Sequence, residues 1–180
     1  MKKVLSTVLL GIFISTMAFG GIFDFLKREE KKEIEIIYVE WASEVASTNV
    51  VKAILEKSLD YDVEITPVSA AAMWQAMGSG DADAMVAAWL PTTHKAYYEK
   101  VKENVEDLGP NLIGTKLGLV VPSYVEVDSI KELNENADKF DNEIIGIDAG
   151  AGLMGMAEQA FNDYDLSNFD LVDGSGATMV

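Results

Sequence analysis

The stretch Ile34-Glu35-Ile36-Ile37-Tyr38-Val39-Glu40-Trp41, with Thr48-Asn49-Val50-Val51-Lys52-Ala53-Ile54-Leu55-Glu56-Lys57-Ser58-Leu59 soon after it, decides the fold. Residues 34–39 are a run of mostly β-branched side chains, the composition of a strand. In the second segment Val50, Val51, Ile54, Leu55 and Leu59 fall on one helical face, and Ser47 or Thr48 is placed to cap its start. Moving outward, the same alternation repeats. Strands are predicted over residues 63–68, 84–88, 117–121, 144–147 and 169–172, and helices over 70–77, 94–105, 129–137 and 153–164. Strand and helix in turn predict an α/β protein built from parallel βαβ units.

Toward the N-terminus the pattern changes character. Met1, Lys2 and Lys3 make a positive end, residues 4–19 are largely apolar, and Ala18-Phe19-Gly20 offers small residues in an A-x-A-like arrangement. Residues 1–20 therefore read as a cleavable signal peptide, and the expected location is periplasmic. Residues 21–33, with Lys27-Arg28-Glu29-Glu30-Lys31-Lys32-Glu33, carry mixed charge without apolar periodicity and read as a solvated leader.

Composition removes several classes of function. Of 180 residues, 49% are apolar and 24% charged, which suits a folded chain. The absence of cysteine excludes a disulfide framework, thiolate metal sites and a cysteine nucleophile, and a single histidine, His94, rules out a histidine-rich metal site. A net charge of −16 opposes nucleic acid as a partner. No nucleophile–base pair stands out, so the reading is of a protein that is not an enzyme and needs no cofactor or metal.

Turns divide the chain. Gly78-Ser79-Gly80-Asp81 and Leu108-Gly109-Pro110-Asn111 punctuate the first half, and Val121-Pro122-Ser123-Tyr124 leaves a strand for a connector. We place the passage between two lobes near residues 122–126, giving lobe 1 over 34–121 and lobe 2 over 122–180. Asp173-Gly174-Ser175-Gly176-Ala177-Thr178 reads as a turn opening a helix two residues before the last residue, so lobe 2 is expected to be partial.

Three tryptophans bear on chemistry. Trp41 and Trp89 each follow a predicted strand, and in open parallel sheets ligands bind beyond the carboxyl ends of strands. Trp74, on a helix beside Met73 and Met77, reads as core. Paired aromatic faces suit a quaternary ammonium, which has no N–H to donate and is held by cation–π attraction of roughly 0.5–2 kcal/mol per face. His94, in Trp89-Leu90-Pro91-Thr92-Thr93-His94, falls in the first turn of a helix, where an anion is welcome. Gly146-Ile147-Asp148-Ala149-Gly150-Ala151-Gly152-Leu153-Met154 is a strand, small-residue loop and helix start whose backbone N–H groups face outward for an anion. That loop also resembles the phosphate-binding loop of the acetate and sugar kinase superfamily, a rival enzyme reading. Asp81 and Asp83 read as a turn feeding a strand.

Taken together, Tyr38-Val39-Glu40-Trp41, Ser47-Thr48-Asn49-Val50, Ser79-Gly80-Asp81-Ala82-Asp83-Ala84, Ala88-Trp89-Leu90-Pro91-Thr92-Thr93-His94, Lys116-Leu117-Gly118-Leu119-Val120-Val121-Pro122 and the 145–152 loop resemble, in order, the glycine betaine and proline betaine binding proteins of ABC transporters. The resemblance runs over residues 34–180. It implies a two-lobed periplasmic-binding-protein fold that captures glycine betaine or a related osmoprotectant by lobe closure and delivers it to an inner-membrane permease; choline or carnitine is the alternative ligand. It further implies that Trp41 and Trp89 are two walls of a tryptophan cage, that His94 donates to the ligand carboxylate, and that Gly152 and Leu153 supply backbone amides. Two departures from the family pattern are visible. Ala149 stands where proline is common, and the T-G-W and P-H-W segments that bring a third cage tryptophan do not occur. The resemblance therefore implies that lobe 2 is incomplete and that this 180-residue form binds a betaine weakly or not at all.

Overall fold

The structure, a computed structural model, describes residues 32–178. The expected signal peptide at 1–20 and nearly all of the 21–33 leader lie outside these residues.

Strand β1 (Lys32–Tyr38) carries consecutive buried residues, Ile36 and Ile37. Successive side chains of a strand point to opposite faces, so both faces of β1 are covered, as in the interior of an α/β layer. Both its edges are used as well. Glu35 O accepts from the Asp83 and Ala84 N–H groups and the Ile37 N–H donates to Ala84 O, forming a parallel bridge between Ile36 and Ala84. On the other edge Tyr38 O accepts from the Val68 N–H, beyond β2 (Tyr61–Pro67), which pairs with β1.

Helix α1 (Ala42–Leu59) links the two strands and begins six residues earlier than the sequence predicts. Its N-cap is Trp41, not Ser47 or Thr48, because Glu44 turns its side chain back to accept the Val39 N–H at 3.0 Å and starts the first turn there. The face turned inward is polar, with Glu44 and Thr48 one turn apart and both buried. Val50, Ile54 and Leu59, assigned above to an apolar packing face, are 53–59% exposed, and none of the described residues covers them.

Helix α2 (Ala70–Ser79) is capped by Ser69 Oγ and buries Ala70, Met73 and Trp74. Helix α3 (Lys95–Val101) is shorter than the 94–105 prediction. Helix α4 (Ile130–Leu133) passes into a 3-10 helix (Asn134–Phe140). Strand β3 (Glu143–Ile145), helix α5 (Gly152–Asp163) and strand β4 (Asp170–Val172) form a βαβ unit whose strands pair in parallel, with Ile144 opposite Leu171. Two strand predictions need correction. Residues 84–88 contribute only the Ala84 bridge, and 117–121 form no strand among the described residues. Leu119 and Val121 instead rest their side chains on a neighbouring apolar cluster.

Buried side chains gather in two clusters. One joins Ile37, Val39 and Trp41 of the first half, with Ala70, Met73 and Trp74, to Ile147, Ala151 and Met154 of the glycine-bearing loop. The other comprises Val127, Leu133, Ala137, Leu166 and Phe169.

Candidate functional site

The first cluster sets the geometry of the site. Trp41, 8% exposed, is fixed by its place at the start of α1 and by its indole N–H, which donates to Asp148 Oδ1 at 3.0 Å. Trp89 begins a closed loop. Its N–H donates to His94 Nδ1 at 3.1 Å, and the His94 N–H donates back to Trp89 O at 2.9 Å. The Trp-Leu-Pro-Thr-Thr-His spacing thus makes a loop whose two ends hold each other. The Trp41 and Trp89 rings lie 5.0 Å apart between centroids, tilted by 55°.

His94 is fully buried among aromatic rings, with Trp41, Trp74, Trp89 and Tyr97 centroids 5.7–6.1 Å away. Burial lowers its pKa to about 4, so the ring is neutral at physiological pH. Because Nδ1 accepts a hydrogen bond, the ring proton is on Nε2, which has no partner. His94 thus sits at the N-cap of α3 as a neutral, unspent donor.

The 146–154 segment comes up against this loop. A Cβ at Gly152 would collide with the Thr93 carbonyl, so that close approach of backbone to backbone requires glycine, whereas one at Gly146 would meet only the end of the Met154 side chain. The Tyr97 hydroxyl donates to Gly150 O at 2.6 Å and ties the loop to α3. Gly152 and Leu153 are the first two residues of α5, where N–H groups lack an acceptor within the helix.

Between these parts lies a cavity of about 560 Å³, lined by Trp41, Trp89, Thr93, Ile147 and Leu153, with Glu40 and Ala42 and with residues 175–177. That volume suits a small organic molecule. Of the five residues singled out in the sequence, Trp41, Trp89 and Leu153 line the cavity directly, while Gly152 packs on Thr93 and His94 lies among the rings of the two tryptophans. Trp74 is core, 2% exposed, and stacks on Tyr97. Asp83 accepts the Glu35 N–H at 2.8 Å and Asp81 the Ser79 hydroxyl at 2.6 Å, so these acids serve the turn.

Sequence reasoning missed three residues here: Glu44, Asp148 as a partner of Trp41, and Tyr97. Glu44 is the most unusual of them. Burial raises its pKa from 4.5 to about 7. The Val39 N–H and the nearby Trp89 side chain oppose that shift, and the charge of Asp148 adds to it. Its position three residues after Trp41 was visible, yet nothing in the pattern tells a buried acid from a solvated one.

The arrangement is that of substrate-binding proteins with the periplasmic-binding-protein fold. The OpuAC family, the substrate binding domain of ABC-type glycine betaine transport system, matches residues 32–180, and the chain belongs to it. The glycine betaine/carnitine transport binding protein GbuC of Listeria monocytogenes is 45% identical over 111 residues, covering 61% of this chain and 37% of GbuC. The crystal structure of the glycine betaine, L-proline ABC transporter binding protein ProX from Borrelia burgdorferi is similar with a TM-score of 0.78 and 48% identity, over 82% of this chain and 56% of ProX. Lactococcal OpuAC, in its closed-liganded conformation complexed with glycine betaine, matches with a TM-score of 0.76 and 44% identity, over 83% of this chain and 57% of its own. The chain therefore spans little more than half the length of these solved relatives. Among the described residues no helix is long and apolar enough to cross a membrane.

Proposed function

We propose that the chain is the substrate-binding component of an ABC importer and captures glycine betaine or a related quaternary-ammonium osmoprotectant without performing chemistry. The observation that carries this reading is the pair of tryptophan faces, Trp41 and Trp89, tilted toward each other at 5.0 Å on the wall of a 560 Å³ cavity. A trimethylammonium group against them is attracted by the ring quadrupoles and loses no hydrogen bond on leaving water. The carboxylate end falls to the N–H groups of Gly152 and Leu153 at the start of α5, where the helix dipole favours an anion, with neutral His94 Nε2 as a further donor. That a solved relative holds glycine betaine supports the same assignment.

The division into lobes at residues 122–126, closure of the lobes on the ligand, export to the periplasm and delivery to a membrane permease belong to this proposal. The buried residues of the second cluster, Val127 to Phe169, support the division, whereas the first cluster joins residues 37–74 to Ile147, Ala151 and Met154 across it. Carnitine is the second reading, favoured by the name of the Listeria relative.

The three indole N–H signals of Trp41, Trp74 and Trp89 provide the test. Glycine betaine at tens of millimolar, a range that detects a Kd near 1 mM, is expected to shift the Trp41 and Trp89 signals and leave that of Trp74 in place. Trp89→Ala should weaken the response about 2- to 30-fold, the loss of one cation–π face. Unmoved signals, or equal shifts with glycine in place of the betaine, would overturn the reading. Carnitine competing more strongly than glycine betaine would favour the second.

A further inference from the structure

The binding scheme above leaves Glu44 without a task. Its side chain is 1% exposed and its Oε2 accepts the Val39 N–H at 3.0 Å, while Oε1 is buried with no partner in full hydrogen-bond geometry, the Trp89 side chain alone being near enough to favour its charge. An unpartnered carboxyl oxygen in the interior is costly unless something else makes use of it. Glu44 also adjoins the Trp89 side chain, which lines the cavity.

The groups acting on Glu44 from each side are few. From the β1–α1 turn comes the Val39 N–H, from the 89–94 loop the Trp89 side chain, and from the glycine-bearing loop the carboxylate of Asp148, itself bonded to the Trp41 indole. Glu40 is exposed on the cavity rim, and His94, in the same aromatic cluster, is neutral. None of these supplies a positive charge. A quaternary ammonium on the adjoining aromatic walls, as in the functional reading above, would supply one.

We propose that Glu44 is the counter-ion of the aromatic box: a quaternary ammonium seated on Trp41 and Trp89 stabilises the Glu44 carboxylate through the Trp89 wall, so that ligand binding and loss of the Glu44 proton are coupled. This rests on the functional reading above and deepens it, because it also orients a zwitterion with its cationic end toward Glu44 and its carboxylate toward α5. Linkage fixes the sign. A cation that lowers the Glu44 pKa binds more tightly above that pKa than below it, tenfold for each unit of lowering, and releases up to one proton as it binds.

The experiment is a glycine betaine titration of the full chain at pH 6 and pH 8, read on the Trp41 and Trp89 indole signals, for the wild type and for Glu44→Gln. The expected result is a wild-type affinity about 3- to 10-fold higher at pH 8, and equal affinities at the two pH values in the variant. A pH dependence that persists in Glu44→Gln overturns the proposal, since the proton then belongs to another group. Should the variant fail to fold, proton release is measured on mixing the wild type with saturating glycine betaine in weak buffer near pH 7; no release overturns the coupling. Equal wild-type affinities at both pH values sink the coupling alone, whereas no indole shift at either pH sinks the binding reading and the coupling with it.

Discussion

The two buried clusters are built on opposite terms. The cluster of Val127, Leu133, Ala137, Leu166 and Phe169 is apolar throughout, and Phe140 packs on Phe169 at 6.0 Å. The cluster around Trp41 and Trp74 shares its interior with Glu44, Thr48 and His94. All four buried side-chain atoms found without a partner among the described residues, Glu44 Oε1, Thr48 Oγ1, Trp74 Nε1 and His94 Nε2, lie on its side of the molecule. Each such atom costs about 1–3 kcal/mol relative to a satisfied one. The buried polar groups that want a partner thus gather in the region that carries the cavity and not in the other, which is the pattern of a site organised for a ligand.

The largest expected effect falls on the apolar cluster. Phe169→Ala removes a ring that is 7% exposed and leaves a void, at a cost of about 3–5 kcal/mol. Urea unfolding checks the magnitude. The comparison predicts that the indole signals of Trp41, Trp74 and Trp89 stay in place while stability drops. Displacement of all three would show that the two clusters form one core.

The next effect, about 3 kcal/mol at most, separates two titrations that mask each other. His94 has a folded pKa of about 4 against 6.5 unfolded, so the unfolded chain takes up its proton first and stability from this group is lost as pH falls from 6.5 to 4. Glu44 has a folded pKa of about 7 against 4.5, so the unfolded chain releases its proton first and stability is lost as pH rises from 4.5 to 7. Between pH 4.5 and 6.5 the two slopes, each about 1.4 kcal/mol per pH unit, have opposite sign and nearly cancel. Relative to the wild type, Glu44→Gln should lose stability as pH falls through this window, and His94→Gln should lose it as pH rises. Urea midpoints at pH 5 and 6.5 measure both slopes. Parallel profiles for the three proteins would mean that neither group is buried as described.

Much of this site was legible in the sequence because it depends on local chain order. Trp41 follows strand β1, the five-residue spacing from Trp89 to His94 lets the loop close on itself, and the glycines precede a helix. What was not legible depends on contacts far apart in the chain. Trp41 meets Asp148 across 107 residues, and no local pattern distinguishes that acid from the many solvated ones of a chain with 30. Helix α1 misled in a related way. Its periodicity marks Val50 and Ile54 as a packing face, but the surfaces met by the described residues select Glu44 and Thr48 instead. Residues 117–121 have strand composition and no strand, since a strand exists only where a neighbour's backbone pairs with it.

The smallest effect tests whether the glycine-bearing loop is held by the polar cluster or merely lies against it. The Tyr97 ring stacks on Trp74 at 6.4 Å, and its hydroxyl reaches Gly150 O at 2.6 Å. Tyr97→Phe keeps the ring and deletes that one bond, which is worth about 0.5–1.5 kcal/mol. The energy is local, so it should appear as more frequent opening of the loop and not as a lower unfolding midpoint of the same size. Hydrogen exchange at the Ala151 N–H, bonded to Asp148 O at 3.2 Å, is expected to quicken about 2- to 10-fold. The Asp170 N–H, bonded to Asn142 O at 2.8 Å beside the apolar cluster, should keep its rate. Equal acceleration at both amides would mean that the bond supports the whole fold, and no acceleration at Ala151 would mean that packing of Gly152 on Thr93 holds the loop unaided.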